Sequence, residues 1–597
     1  MLRLETASTS FSGLSRRKAF PIATVRWYSR SRKIDGGTMS NTEQKGPQPA
    51  QQQHDKPLKK RAVVSSFLFK FPDGGPSASS TRDGKKPLVA LFRRSGLVST
   101  YRHRLAPISG SIDPNDQNPL ATAWREIQEE TTLTSSSVTF FRKGKEYSFA
   151  DPSVGREWTI YAFAFRLKSK EEGGQDEEGI KTDWEHEGWE WHDPDAVVAV
   201  DDEEAFGGVP RLKESLRRVW FEGDFGAQSA AGRTLAAGLE RLQADHESGS
   251  RQLAAIALGV FRETVAEMGG PDGGNSEAWW EKARMAAWHL WKNGRESMGA
   301  PILNALIAAL VDIEPIVLDT EGKENNKRDP ILAAIDRLIE KRKSTTARIS
   351  DAFASYIQRN VLNRKEDSSL TILTLSASST IRDCIVHAAI SSNAQFVDLR
   401  VLESRPLYEG VSVASAILSD FRSQPNAPRI HVSIYTDASA ALASGGVDIL
   451  LLGADRISAD GAVSNKTGSL PAILSARCVS PSTKVVVLSE LEKVAEPGDP
   501  HSHVVEENNP EEVIQAWRHS GVKGVNVIDE ALKTQAQQQE DGKATVSVKN
   551  IYFEWVQPEM INGFDAYVCE EGVRTVAEIK ERSAWVGEQI ERFFGGL

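Results

Sequence analysis

Between residue 61 and residue 225 the apolar positions come in short runs separated by polar, turn-forming stretches. Ala62-Val63-Val64-Ser65-Ser66-Phe67-Leu68-Phe69 reads as a strand, Leu88-Val89-Ala90-Leu91-Phe92 as a second, and Trp158 to Phe165 as a long aromatic third. The stretch Leu120 to Thr131 has a different rhythm. Ala121, Ala123, Trp124 and Ile127 are available to pack a helix, while Glu126, Glu129 and Glu130 share its other face at spacings of three and four. Residues 169–181 are acidic and glycine-rich and predict a surface loop, and a helix near 209–221 closes the unit.

Farther along, the period lengthens and then shortens. Gln252 to Leu258 and Trp279 to Trp291 carry apolar residues at helical spacing, and 299–313 and 330–364 continue the pattern. From Leu370 short apolar runs return at Ile372–Leu375, Ile430–Tyr435, Val447–Leu452 and Lys484–Leu488, with helical stretches between them. Buried strands alternating with helices predict a doubly wound parallel sheet, so the expected class is α/β. Ligands in such sheets bind beyond the strand C-termini. Ser376 to Thr380, Glu403 to Arg405, Asp437, and Gly453 to Asp455 fall there.

Composition bounds this picture without changing it. At 597 residues the chain exceeds one core. A net charge of −10 argues against a general nucleic-acid or anionic-membrane binder. Cys384, Cys478 and Cys569 are too far apart for a metal motif or disulfide framework, which points to a reducing compartment. No apolar run is read as a membrane span. The first 34 residues hold Arg3, Arg16, Arg17, Lys18, Arg26, Arg30, Arg32 and Lys33 against Glu5 alone, among many Ser and Thr. Residues 1–38 are therefore expected to be a mitochondrial transit peptide or a disordered basic tail; a start at Met39 would leave the protein cytoplasmic. Residues 39–60 read as a linker, 61–225 as the first domain, and 226–245 as a polar connector with helical potential. Residues 246–365 read as a helical subdomain and 366–597 as the sheet domain.

The acidic helix carries the sharpest chemical signal. Three crowded carboxylates repel one another unless a cation neutralises them, and hard oxygen ligands suit Mg²⁺ or Mn²⁺. Gly110 followed by Arg125-Glu126-Ile127-Gln128-Glu129-Glu130 and Leu133 resembles the Nudix box. The family's first Glu falls at Asp116 or Gln117, with the spacing one residue long, and its late Gly is Thr132. The resemblance implies an α/β/α sandwich with Glu126, Glu129 and Glu130 on the metal and Arg125 orienting a glutamate. A further carboxylate often comes from a later loop, and Glu157, Glu185 and Glu187 are all available.

The second half resembles the IF-2B-related superfamily. The stretches are Arg295-Glu296-Ser297-Met298-Gly299-Ala300, Glu403-Ser404-Arg405-Pro406 ending at Gly410, Gly453-Ala454-Asp455 through Asn465-Lys466-Thr467-Gly468, and Gln557-Pro558-Glu559-Met560-Ile561. That superfamily joins sugar-phosphate isomerases, for methylthioribose 1-phosphate and ribose 1,5-bisphosphate, to exchange-factor subunits of translation initiation. Arg295, Arg405 and Lys466 offer charge for a phosphate, Glu403 and Asn465 line the same end, and Asp455 sits where a proton could be moved. The isomerases carry a catalytic Cys where this chain has Ser376, and Cys384 in the next helix reads as core. A thiol titrates near pH 8.5, whereas a serine hydroxyl does not ionise near neutrality.

Together these readings predict a two-part protein. The first part hydrolyses a nucleoside-diphosphate derivative with Mg²⁺ or Mn²⁺. The second isomerises or senses a sugar phosphate, or serves as a retired scaffold, and by resemblance forms at least a homodimer. No nucleic acid or membrane partner is expected.

Overall fold

A computed structural model describes residues 57–597, except 73–85, 223–229, 246–247, 272–275, 320–325, 366–367, 501–506 and 538–544. The expectations for 1–38 and for most of the linker lie outside the described residues.

The first domain is one mixed sheet between two helical layers. Its strands are β1 (Lys59–Lys70), β2 (Leu88–Arg94), β3 (Leu105–Ala106), β4 (Val138–Lys143), β5 (Tyr147–Asp151), β6 (Arg156–Leu167) and β7 (His186–His192). The order is β3-β2-β1-β6-β4, with β5 also on β6 and β7 also on β2. Strands β1 and β6 run parallel, Lys59 opposite Arg156 through Phe69 opposite Arg166. Alternate side chains of each strand enter opposite cores. Val64, Leu68, Phe163 and Phe165 face Ala123 and Ile127 of the acidic helix and Leu133 just past its end. Phe67, Phe69, Ala162 and Ala164 face Val197, Leu212, Leu216 and Trp220 on the other side.

The acidic helix spans Pro119–Thr131. The Asn118 side chain accepts from the Ala121 N–H, a cap worth about 1 kcal/mol, and Pro119 occupies the first helical position, where a missing N–H is harmless. It ends on Thr132 in left-handed backbone, φ 62°, at the place where the Nudix box has glycine.

The second domain opens with helices and ends with a sheet. Ala230–Ala244, Ser250–Met268, Ser276–Asn293, Gly299–Leu318 and Arg328–Lys343 build one apolar core, closed by Val586, Phe593 and Phe594 of the C-terminal helix Val576–Phe594. Two expectations change here. The connector 226–245 is mostly a helix whose Leu235, Leu239 and Leu242 are core, because its leucines recur at helical spacing inside a polar composition. Gly299–Leu318 is long and apolar enough to cross a membrane by length and composition. Its Ile302, Leu303, Leu306 and Leu310 are instead enclosed by neighbouring helices.

The sheet comprises β8 (Ser369–Leu375), β9 (Phe396–Leu402), β10 (Arg429–Tyr435), β11 (Ile449–Leu452), β14 (Lys484–Leu488), β16 (Ala566–Cys569) and β17 (Gly572–Arg574). A smaller sheet holds β12 (Arg456–Ile457), β13 (Val463–Lys466) and β15 (Phe553–Val556). The large sheet runs β10-β9-β8-β11-β14-β16-β17, parallel except for the last pair. The chain builds the sheet outward from β8, through β9 and β10 on one side and β11 and β14 on the other, and the parallel strands put the C-terminal ends leading to Ser376, Glu403 and Gly453 side by side. The helix Thr345–Asn360, expected within the helical subdomain, packs Ile349, Phe353 and Ile357 on this sheet.

The two domains are tied by side chains. Asn293 bonds both the N–H and the carbonyl of Lys143, each at 2.8 Å, and Lys143 Nζ lies 2.6 Å from Glu296. Beside them Arg142 is buried between the Phe141 and Phe221 rings, 4.3 Å from each centroid, and paired with Glu222.

Candidate active site

The acidic helix delivers its carboxylates unequally. Glu126 and Glu130 are buried, while Glu129 is on the exposed side and binds Arg125 at 2.9 Å. Arg125 also reaches Glu126 at 2.8 Å and Asp116 at 3.2 Å. Asp116, further held by Thr122 at 2.8 Å, is thus the acid that pairs with the helix; Gln117 is exposed. Arg125 keeps Asp116 below the usual carboxylate range through its hydrogen bond.

Gly110 is the other half of the device. A Cβ there would lie 1.9 Å from Cδ of Glu126. The missing side chain lets the Glu126 carboxylate lie against the Gly110 backbone and reach a cavity of about 340 Å³. Glu185 lines the same cavity, whereas Glu157 pairs with Lys60 and Glu187 with His103. Of the three later acids, Glu185 is the one the fold brings to Glu126. Burial raises Glu126, Glu130 and Glu185 above ordinary carboxyl values, and neighbouring carboxylates add to each rise. His186 Nε2 lies 3.3 Å from Glu130, and burial lowers its basicity, with Asp183 opposing the shift.

Among the described residues no group of three His, Cys, Asp or Glu side chains is assembled as a metal cage. Glu129 is turned onto Arg125 and Glu130 lies against His186. The donor set nonetheless fits a hard divalent cation. Its atoms are carboxylate oxygens, those of Glu126 and Glu130 are buried, and Arg125 offsets only part of their mutual repulsion.

The cavity walls are aromatic and cationic. Tyr101 OH donates to Asp151 at 2.6 Å and accepts from Trp158 Nε1 at 3.1 Å, and Phe149 lies alongside. Arg94 donates to the Thr100 carbonyl and to Ser109 Oγ. Sequence reasoning missed Arg94 and Tyr101, because an arginine ending a strand and a loop tyrosine have no spacing that marks them.

In the second domain Ser376 is brought to Lys466 through a residue that sequence reasoning did not single out. Ser376 Oγ donates to Glu409 at 3.1 Å, and Lys466 Nζ lies 3.0 Å from the other oxygen of Glu409. Glu409 stands immediately before Gly410, where a Cβ would lie 1.8 Å from the Leu402 carbonyl oxygen. Ser376 is in left-handed backbone, φ 68°, with its N–H on Ser404 Oγ. Burial raises Asp455, and Lys493 and Lys466 oppose the rise. Asn465 donates to Ser469 at 2.9 Å, and Arg405 pairs with Glu403 at 2.8 Å. Arg295 is placed at the domain junction, donating to the Asp245 carbonyl at 2.8 Å. Cys384 is fully buried and its thiol is pushed up to about 12 by burial, as expected of a core cysteine.

Known proteins carry both halves. Residues 78–214 match the NUDIX domain family, and residues 298–576 match the Initiation factor 2 subunit family. The chain joins a Nudix domain to an IF-2B-family domain. A methylthioribose-1-phosphate isomerase of Parabacteroides distasonis is 33% identical over 135 residues, 22% of this chain and 38% of that relative's length. Solved structures similar to the chain include translation initiation factor eIF-2B of Pyrococcus horikoshii OT3, at 18% identity and TM-score 0.38 over 57% of this chain and 96% of that one. Another is eIF2B beta of Chaetomium thermophilum, at 13% and 0.41 over 62% and 96%. A third is 5-methylthioribose 1-phosphate isomerase of Pyrococcus horikoshii OT3, at 17% and 0.37 over 61% and 88%.

Proposed function

We propose that the Nudix domain hydrolyses a diphosphate bond in a nucleoside-diphosphate derivative, using Mg²⁺ or Mn²⁺. The observation that carries this is the Glu126 carboxylate seated on Gly110, at a cavity it shares with Glu185 and Arg94. Glu126, Glu130 and Glu185 would hold the cation, with Glu129 joining once released from Arg125. A bound divalent cation neutralises phosphate oxygens and lowers the pKa of a water. Arg125 fixes the direction of Glu126, and Arg94 meets the diphosphate. Tyr101 and Trp158 provide flat apolar faces for a base. A panel of nucleoside-diphosphate derivatives, assayed for phosphate or monophosphate release with each metal, tests the reading against Glu126→Gln. No turnover by the wild type on any member sinks it.

For the IF-2B-family domain, binding or sensing of a sugar phosphate is the favoured reading, because Ser376 presents a hydroxyl whose proton is shared with Glu409 rather than a thiol. An aldose–ketose isomerase acting on ribose 1,5-bisphosphate or methylthioribose 1-phosphate is the second reading, favoured by the half-buried Asp455 at a strand end, whose carboxyl is raised by desolvation. Isomerisation by the wild type decides for the enzyme. Isomerisation only in Ser376→Cys identifies a retired active site. Homo-oligomerisation through this domain belongs to the same proposal and is read by light scattering; a monomer at micromolar concentration refutes it. Mitochondrial import belongs to it too, and a purely cytosolic signal from a chain tagged at its C-terminus refutes that part.

A further inference from the structure

Three arginines line the Nudix cavity: Arg61, Arg94 and Arg156. None of the three forms an ion pair among the described residues, although the residues preceding two of them in the chain do. Lys60 pairs with Glu157 and Arg93 with Glu190. Arg94 lies among the carboxylates, whose charge it feels, and is accounted for by the diphosphate. Arg61 and Arg156 are not.

Their position follows from strand geometry. On β1, Arg61, Val63 and Ser65 alternate onto one face; on β6, Arg156, Trp158 and Ile160 do the same, and all six line the cavity. Arg61 stands opposite Trp158, and Arg156 opposite Lys59, so both guanidinium groups belong to the same end of the paired strands. The Glu126 end is fixed by Gly110, whose carbonyl accepts the Val64 N–H at 2.9 Å. Three residues of extended chain separate Arg61 from Val64, on the order of 10 Å. A diphosphate held at Glu126, Glu185 and Arg94 does not extend that far, and the aromatic faces of Tyr101 and Trp158 lie on the way.

We infer that Arg61 and Arg156 form a second anion subsite, and that the substrate is a diphosphate derivative whose organic group carries a further phosphate about 10 Å from the bond to be cleaved. Two unpaired guanidinium groups beside an aromatic face bind a phosphate monoester on a nucleoside or sugar better than they bind an uncharged hydroxyl. This deepens the proposed hydrolase and rests on it for the identity of the reaction, while the subsite itself is read by binding.

The test uses the full chain and two probes that differ by one phosphate, adenosine 3′,5′-bisphosphate and adenosine 5′-monophosphate, titrated calorimetrically with Mg²⁺ present. The wild type is expected to bind the bisphosphate at least tenfold more tightly. Arg61→Gln combined with Arg156→Gln is expected to bring the ratio close to one, while the thermal midpoint, which owes nothing to ion pairs at these two residues, stays in place. Arg61→Lys with Arg156→Lys retains part of the preference. A wild-type ratio near one, or a ratio unchanged in the double Gln variant, overturns the subsite. If the ratio behaves as expected but no diphosphate is hydrolysed, the subsite stands and the hydrolase reading fails.

Discussion

The two candidate sites treat charge in opposite ways. Around the Nudix cavity less of the charge is met: Arg61, Arg94 and Arg156 form no ion pair among the described residues, and Glu126, Glu130 and Glu185 are raised by burial and by neighbouring carboxylates, with Arg125 offsetting the rise at Glu126. At the sheet end of the IF-2B-family domain charge is largely met from within. Lys466 pairs with Glu409, Arg405 with Glu403, Arg456 with Glu496 and Lys493 with Glu490. Burying the Glu126 and Glu130 carboxylates is costly, and a cation would offset that cost. A site neutralised internally gives a ligand less, since each phosphate contact must displace an existing one. On the functions proposed above, the first domain is the reacting centre and the second the weaker binder.

That contrast can be broken most sharply at Gly110. Gly110→Ala places a Cβ where the Glu126 carboxylate now sits, and a displacement of an ångström or so in a reacting group costs on the order of 10²-fold. Diphosphate hydrolysis should fall by about that factor at unchanged folding, as judged by circular dichroism. Retention of full activity would show that Glu126 is not held to the cavity by Gly110.

The next largest effect is in the dependence on pH and metal. Glu126 and Glu130 have folded-state values above 4.5, so in the metal-free chain they favour folding when protonated. The stability they contribute is present below the unfolded value and is lost as pH rises through the raised ones. Melts in EDTA should therefore show the Nudix transition weakening as pH rises from about 5 toward 7, and Mn²⁺ should reverse the trend because it binds the ionised form. Equal stabilisation by Mn²⁺ at both ends of that range would contradict the assignment of these carboxylates.

At the neutralised site, Glu409→Gln leaves Lys466 without its partner. A half-exposed ion pair is worth up to about 1 kcal/mol, so inorganic phosphate should bind the variant roughly fivefold more tightly than the wild type. Weaker binding would show that Glu409 positions the ligand rather than competing with it. The smallest effect is expected at Thr132, whose left-handed backbone and β-branch conflict. Thr132→Gly should stabilise the Nudix domain by about 0.5–1 kcal/mol, since glycine relieves the strain but adds freedom to the unfolded chain. A denaturant midpoint that does not rise would mean that the Thr132 hydroxyl contact to Gly179, at 3.4 Å, offsets the strain.

Legibility varied along the chain for physical reasons. Strands β1, β2, β6, β8, β10, β11 and β14 could be read as apolar runs. Strands β4 and β5 could not, because Val138–Lys143 and Tyr147–Asp151 are short, partly exposed and interrupted by charge. The helical potential of 226–245 was legible, but the place of Ala230–Ala244 in the core was hidden by its glycines and polar neighbours, which obscure a leucine stripe until other helices cover it. At the site, Arg125 and the three glutamates were legible because helical spacing brings residues three and four apart onto one face. That Glu129 alone stays exposed was not legible, since it depends on what packs over the helix.

The sequence by itself determined the two α/β domains, the acidic helix with Gly110 before it, and Ser376 in place of a thiol, because each is a matter of local period or residue chemistry. Only the tertiary structure decided that Asp116 rather than Gln117 meets Arg125, that Glu185 rather than Glu157 or Glu187 joins Glu126, and that Glu409 stands between Ser376 and Lys466. Those choices join residues far apart in the chain, and the charge that surrounds a side chain is set by which strands and loops fold against it.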